Sequence, residues 1–501
     1  MATIPKRSSN PMFFLGHQDD DYPPLPSHTV DAGGASVAKR TSFTQRVRSC
    51  RRTLLSSRRN KGITVLSLFV FAVLLCFFIP RSWTLFLHSS NSLPPLYEEY
   101  HARELALPQH NPDLPLPEGR NGKYLFVASH FDEYGWGNVM QEHLFDAFLA
   151  HKAGFGFVFD NYTWSRRGPE YSVYRDRVVI PSRIPFSAML AGPIVGEPFP
   201  EGDPTPRAIR QEYFAEICPN PVKLQGKEIT DQYVWGSTST LIKKWIEKFE
   251  SVGSNCIEIA EGSGQPFTLW TFGMMNVMDA WSDFVASPII QQFRWSHLIE
   301  SGFSRNLPLI SSGPPARSFP YTPIPGLLVL QLRRGDYAEH CYNLLNWGSE
   351  WQAFNRFSQF PDQFKLAPRP ESGPIPESST VEHMKHCYPT PAEIAFRVEQ
   401  ILQSEEGKSL TDIYLMTNGK ADFIAEVKQE VSRVHAWKSI KSSRDLVVDR
   451  EQQYVKQAID MLIGLRSDVI VANGWSSMSS NVAMLRMALY PEHSAKRTRY
   501  W

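Results

Sequence analysis

Little in this chain marks a familiar class. Its 501 residues carry a net charge of only +1, so no global field of either sign points to nucleic acid or to an acidic surface. No pair among its six cysteines has metal-ligand spacing such as Cys-x-x-Cys, which removes the zinc-ribbon reading. From Lys123 onward there is no internal repeat and no heptad, which sets aside solenoids and coiled coils. The length is too great for one simple core, so two folded domains with appendages are expected.

Positive charge is local instead. Arg46, Arg48, Arg51, Arg52, Arg58, Arg59 and Lys61 crowd ahead of Ile63–Ile79, an uncharged run rich in Leu, Val and Phe that is extended by Trp83–Leu87. Such a segment can cross a bilayer core of about 30 Å at about 1.5 Å per residue. It begins too deep in the chain for a cleaved signal peptide, and its basic amino-side flank keeps the start of the chain cytosolic. The expected topology is type II: a disordered cytosolic tail (1–62), a membrane anchor (63–87), a proline-rich extended stem (88–121) and a lumenal head. With Cys50 in the tail and Cys76 in the span, Cys218, Cys256, Cys341 and Cys387 remain in the head. In an oxidising compartment they allow three connectivities, of which Cys341 with Cys387 and Cys218 with Cys256 is the expected one. Asn161-Tyr162-Thr163 is a glycosylation sequon usable in that topology.

The head opens in βαβ fashion. Strand Tyr124–Ala128 leads into a polar loop through His130, Asp132, Glu133, Gly135, Gly137 and Asn138. A helix with Met140, Leu144, Ala147 and Phe148 at helical spacing follows, and then strand Gly156–Asp160. A glycine-containing loop at a helix amino end can present N–H groups to an anion. Residues 171–317 are rich in proline and aromatics, with helices expected around 232–252 and 272–284 and no assignable chemistry.

In the second half, Leu327–Leu332 is a continuous apolar run, the pattern of a strand buried on both faces, and it runs straight into Arg333-Arg334-Gly335-Asp336-Tyr337. Thr390-Pro391-Ala392-Glu393 is a capping-box signal with proline in the first turn. Strand Asp412–Met416 ends in Thr417-Asn418-Gly419, and strand Asp468–Ala472 ends in Asn473-Gly474-Trp475-Ser476-Ser477-Met478-Ser479-Ser480 at a helix start. Alternating strands and helices imply a parallel sheet with all three polar tips on its carboxyl edge, where open α/β sheets bind ligands. Guanidinium groups and helix-start hydroxyls there suit phosphate oxygens. Each signal has a plain alternative, a solvated basic turn for the arginines and simple capping for the serines. Residues 338–389 form a long loop whose Trp347, Trp351, Phe354, Phe357, Phe360 and Phe364 either wall an acceptor pocket or make the loop's own small core.

Gln331-Leu332-Arg333-Arg334-Gly335-Asp336-Tyr337, the Thr417-Asn418 tip and the Ser476-Ser477 cluster resemble three motifs of the GDP-fucose-dependent fucosyltransferases, the protein O-fucosyltransferase-like group above all. Gly135-Trp136-Gly137-Asn138 resembles that group's amino-terminal Gly-Phe-Asn-Asn loop. The resemblance implies an α/β fold of GT-B type, with two Rossmann-like domains facing across a cleft, here at 122–317 on the acceptor side and 318–501 on the nucleotide-sugar side. It implies GDP-fucose as donor substrate, a protein or glycan acceptor, inversion at the sugar, and no metal or other cofactor. Consistently, the head has no Asp-x-Asp; the acidic run Asp19–Asp21 lies in the tail.

By the same resemblance Arg333 matches the essential arginine that holds the β-phosphate and assists its departure. Arg334, Asp336, Thr417, Asn418, Ser476, Ser477 and Ser479 would hold the nucleotide sugar, with Gly135, Gly137 and Asn138 on the other side. Glu133 is the candidate catalytic base. Two positions depart from the pattern: Gln331 stands where the family usually has His, and Asn418 where many relatives have Asp. The expectation is a single-pass type II transferase of the Golgi or endoplasmic reticulum membrane. The rivals are a catalytically silent glycan- or nucleotide-binding protein on the same scaffold and a transferase using another nucleotide sugar.

Overall fold

The computed structural model describes residues 93–174, 178–313, 319–366 and 373–501. The expected tail and the anchor at 63–87 lie outside the described residues, among which no helix is long and apolar enough to cross a membrane. Residues 95–172 and 181–501 belong to one compact unit, which holds both sheets described below. In the other unit, Tyr174 N–H donates to Val178 O at 2.7 Å.

After helix α1 (Glu98–Leu105) the first lobe runs β1 (Tyr124–Val127), α2 (Trp136–Lys152), β2 (Gly156–Phe159), β3 (Ile209–Arg210), β4 (Val222–Leu224), α3 (Thr238–Val252) and β5 (Cys256–Ile259). Its five strands are all parallel in the order β3-β2-β1-β5-β4. The second lobe runs α4 (His297–Ile310), β6 (Ile324–Leu332), α5 (Tyr337–Trp347), α6 (Glu377–Cys387), α7 (Pro391–Leu402), β7 (Asp412–Thr417), α8 (Ala421–Val434), β8 (Ser439–Ser442), α9 (Lys456–Leu465), β9 (Ser467–Ala472), α10 (Ser477–Leu489) and β10 (Thr498–Tyr500). Its sheet is likewise parallel, in the order β8-β7-β6-β9-β10.

The apolar run of β6 explains its central place. Leu328, Leu330 and Leu332 enter a core with Ile394, Val398 and Ile401 of α7 and Ile424, Val427 and Val431 of α8. The expected capping box closes the start of α7: the Thr390 hydroxyl accepts from Glu393 N–H, and the Glu393 carboxylate accepts from Thr390 N–H at 2.8 Å. Leu332 sits opposite Thr417 and Leu330 opposite Val471, so the tips of β6, β7 and β9 are level neighbours.

Both expected disulfides are formed, Cys218–Cys256 and Cys341–Cys387. Three expectations change. The stem is not an extended spacer: from residue 95 it lies on the folded body, where buried Glu104 pairs with Arg210 at 3.0 Å and Gln109 donates to the carbonyls of Gly196 and Ala208. The border between lobes falls ahead of α4 rather than at 317, because α4 is bonded into the second lobe through Asn306 to Val447 and through Gln452 to Leu298. Residues 338–389 are not one loop; α5 and α6 lie within them, stapled by Cys341–Cys387. Their aromatics form a local core in which Trp351 lies 4.6 Å from the Tyr500 ring and 6.0 Å from that of Trp475, while Trp347 stays partly exposed.

Candidate functional site

The carboxyl edges of the two sheets come together through two helix starts. Helix α2 follows the tip of β1 and α10 follows the tip of β9, and the residues that precede them, Gly135 and Ser476, supply no side-chain cap. Asn481 of α10 donates to Gly137 O at 2.6 Å, and Gln141 of α2 donates to the Ser480 hydroxyl at 2.7 Å. A Cβ on Gly137 would lie 2.6 Å from Ser477 Oγ and 2.8 Å from Met478 N, so only glycine permits this approach. The structure thus brings Gly135, Gly137 and Asn138 together with Ser476, Ser477 and Ser479, all of them buried. The positive ends of two helix dipoles directed at one place make a region suited to negative charge.

Arg333 leaves the β6 tip beside this junction, 5 % exposed, with its guanidinium carbon 4.8 Å from the centre of the Tyr337 ring. The neighbouring tip fixes its backbone. The Thr417 hydroxyl donates to Leu332 O at 2.7 Å, and the Asn418 amide clasps the Arg334 peptide, accepting from its N–H at 2.7 Å and donating to its carbonyl at 3.0 Å. Thr417 and Asn418 therefore act on the arginine turn. Asn418 does with an amide what a carboxylate could not, since the clasp needs both a donor and an acceptor.

The other predicted residues divide by placement. Arg334 is committed to the fold: its guanidinium bonds the carbonyls of Arg333 and Pro389 and stacks between the rings of Tyr388 and Phe423, at 4.3 and 4.0 Å. Burial pushes this group down to about 10. Asp336 is exposed at the start of α5. Glu133 is also exposed, in a left-handed conformation with φ +62°, its N–H donating to Thr163 O at 3.3 Å. A glutamate there is backbone strain of the kind that collects at functional turns. Asn161 is spent on the fold, because its amide oxygen accepts from buried Arg210 at 3.0 Å and its backbone is paired in a short strand.

Gln331 is the hinge between tips. Its amide oxygen accepts from Asn473 N–H and from the Ser479 hydroxyl, each at 3.2 Å, and its own N–H₂ reaches Ser476 Oγ at 3.5 Å. The Trp501 indole donates to its backbone carbonyl at 2.8 Å. The residue holds the serine turn against β6.

Sequence reasoning missed two polar groups. Behind the first lobe's tips, His130, His143 and Asp160 are buried with ligand-type atoms all within 4.8 Å of one another, a geometry that could hold a metal ion. Here they form a bonded network: His130 meets Asp160 at 2.6 Å, the Arg166 guanidinium lies 3.0 Å from the same ring nitrogen, and His130 Nδ1 faces Phe131 O at 3.1 Å. Burial alone would raise Asp160, but the charge and hydrogen bond of His130 hold it well below the usual carboxylate range. Nearby Glu142 and Asp146 are driven well above that range by burial, with mutual repulsion adding at Glu142; Glu142 also accepts from Phe131 N–H at 2.7 Å. The second group lies beside β7 and β8. Asp460 accepts from Tyr414 OH at 2.5 Å and from the Ser443 hydroxyl, and burial pushes it up to about 6. One turn earlier on α9 stand Lys456 and Gln457. The signal that could have found both groups is ionisable residues inside otherwise apolar helices, at Glu142-His143 and at Lys456 to Asp460.

No protein-family model and no curated protein sequence matches the chain. Among solved structures, the crystal structure of POFUT1 in complex with GDP-fucose aligns with 76 % of this chain and 98 % of that one, at 15 % identity and a TM-score of 0.43. POFUT1 in complex with GDP aligns with 76 % of this chain and 99 % of that one, at 14 % identity and the same TM-score of 0.43. The chain is similar to these proteins in the course of its backbone at that low level. The two parallel sheets and their abutting carboxyl edges are features of its own structure.

Proposed function

We propose that the chain is a metal-independent glycosyltransferase that moves fucose from GDP-fucose to a hydroxyl of a protein or glycan, with inversion. The observation that carries this reading is the meeting of two helix starts, α2 and α10, next to the Arg333 tip of β6. A sugar diphosphate leaving group gains negative charge as its glycosidic C–O bond breaks. Fixed N–H dipoles and a guanidinium that is always protonated stabilise that charge most where it is greatest, in the transition state. The acceptor hydroxyl oxygen attacks the anomeric carbon from the opposite face as the diphosphate leaves, and its proton passes to Glu133. The donor is named from the motifs around Arg333 and Ser476. The membrane anchor and the Golgi or endoplasmic reticulum setting belong to the same proposal and rest on the run at 63–87.

Arg333→Ala tests it. Transfer and release of GDP from GDP-fucose should fall at least about 100-fold, the scale of removing one preorganised charge-stabilising group, with the melting temperature of the ligand-free protein kept. Unchanged turnover would remove the mechanism. A specific observation favours the rival binder: the polar atoms of Gln331 and Arg334 are spent on the fold, which leaves fewer groups for chemistry. A binder would show affinity for GDP with no transfer and no hydrolysis of the donor.

A further inference from the structure

The buried histidine cluster of the first lobe has no part in the chemistry above. His130 follows the tip of β1, His143 stands on α2 and Asp160 follows the tip of β2, so three consecutive elements deliver it. The side chains are all but sealed, at 2 %, 2 % and 7 % exposed. Both rings are held alike: His130 Nδ1 lies 3.1 Å from Phe131 O and His143 Nδ1 lies 3.1 Å from Val139 O. A carbonyl can only accept, so each Nδ1 carries a proton. Both Nε2 atoms are then turned toward one carboxylate, His130 Nε2 at 2.6 Å from Asp160 Oδ2 and His143 Nε2 at 3.9 Å from Asp160 Oδ1. This arrangement does not satisfy itself. A neutral His130 sets a lone pair against a carboxylate oxygen, and a protonated one sets its charge against the Arg166 guanidinium, 3.0 Å from the same nitrogen. Acid groups around the cluster also outnumber that one guanidinium. Glu142 and Asp146 are fully buried on α2, an oxygen of each is sealed without a hydrogen bond, and the field of Asp160 reaches Glu142.

We propose that His130, His143 and Asp160 form a structural site for a divalent transition-metal ion, zinc above all, bound through the two Nε2 atoms and the carboxylate. The inference needs nothing of the transferase reading, and the ion takes no part in the departure of a diphosphate. Two imidazoles and a carboxylate suit zinc and its first-row neighbours, whereas magnesium and calcium want oxygen ligands. A histidine whose far N–H is fixed on a carbonyl has its Nε2 aimed and its tautomer set for a metal. The ligand atoms lie within 4.8 Å of one another. Around a tetrahedral ion with bonds of about 2.1 Å they would stand about 3.4 Å apart, so side-chain shifts of roughly an ångström close the site. Arg166 competes for His130 Nε2, and it has an exit. Its side chain is 20 % exposed, and carboxylate oxygens of Asp132 and Glu261 each lie 3.8 Å from its Nε. A bound ion displaces the guanidinium toward those two carboxylates. With His130 tied to the metal, the Phe131 peptide is fixed beside it, and the ion orders the loop that carries Glu133.

The experiment uses the full chain in detergent, free of any affinity tag, stripped with a chelator and titrated with Zn²⁺ or Co²⁺. Wild type should keep one zinc per chain through gel filtration, melt higher with zinc than without it, and give the visible Co²⁺ absorption of a four- or five-coordinate site. Asp160→Asn and His143→Gln should each weaken zinc binding at least about 10-fold, the least expected when a ligand is lost. Arg166→Met should tighten it, because the competing guanidinium is gone. Wild type that keeps no zinc, or zinc held as tightly by both ligand variants as by wild type, overturns the proposal. If both ligand variants fail to fold, Arg166→Met decides, and zinc binding there that is unchanged or weaker overturns it. None of these readouts uses a nucleotide sugar or an acceptor, so failure here leaves the transferase reading intact.

Discussion

The two lobes set polar groups on the carboxyl edge of a parallel sheet by different means. In the second, nine-residue β6 and six-residue β7 and β9 carry the tips, and neutral side chains clamp them: Thr417 on Leu332, Asn418 on Arg334, Gln331 on Asn473 and Ser479. In the first, four-residue β1 and β2 are backed by buried ionisable groups, with His130 and Glu142 holding the two sides of the Phe131 peptide ahead of strained Glu133. A neutral clamp is indifferent to pH. An ionic one makes the geometry of its loop depend on protonation, so the arm that carries the candidate base is the one open to pH.

The contrast can be broken at its sharpest point by Glu133→Gln. If the first lobe's loop supplies the base, kcat should fall roughly 10²–10⁴-fold with donor KM nearly unchanged, and the acid limb of the pH–rate profile should vanish. A change in KM alone would mean that the loop only binds. Next come the staples. Replacing Cys341 and Cys387 by serine should cost about 2–4 kcal/mol in denaturant unfolding and loosen the arginine turn; the Cys218–Cys256 pair, remote from the tips, should cost a similar amount with kcat per folded molecule retained.

Smaller effects sharpen the comparison. Asn418→Ala strips both bonds from the Arg334 peptide and should cost about 1–3 kcal/mol at any pH between 5 and 9, read from unfolding curves. Asp160 behaves otherwise. Its folded carboxyl is depressed, so its stabilisation is complete above the unfolded value of about 3.9 and is lost as pH falls toward the lower folded one. Asp160→Asn should therefore flatten the acid limb of stability below about pH 4. Asp460 has the opposite sign: with a folded value of about 6, it favours the fold at low pH and loses that advantage as pH rises from about 4 through 6. Asp460→Asn, which still accepts from Tyr414 and Ser443, should remove a slope of at most about 1.4 kcal/mol per pH unit in that window. An unchanged slope would show that Asp460 stays ionised in the fold.

Much of the second lobe was legible because its signals are local. An apolar run flanked by arginines, a Thr-Pro-x-Glu start and a serine-rich helix entry each depend on residues within one turn or one strand, and Leu327–Leu332, Thr390–Glu393 and Ser476–Ser480 folded as read. The four head cysteines left three connectivities open, and the expected one is the one formed. What stayed hidden was long-range. Arg334 looked like Arg333 in the sequence, but a carbonyl of Pro389 and a ring from Phe423 claimed it. The amide oxygen of Asn161, read as part of a sequon, is bonded by Arg210 from another part of the first lobe.

From residue order alone came the alternating strands and helices, the parallel sheet and the level polar tips, since periodicity, caps and composition act over a few neighbours. Only the folded chain decided that the Arg334 guanidinium is claimed by Pro389 and Phe423, and that α2 and α10 meet through Gly137. Those facts depend on burial and on contacts between segments far apart in the chain, and no local pattern carries that distance.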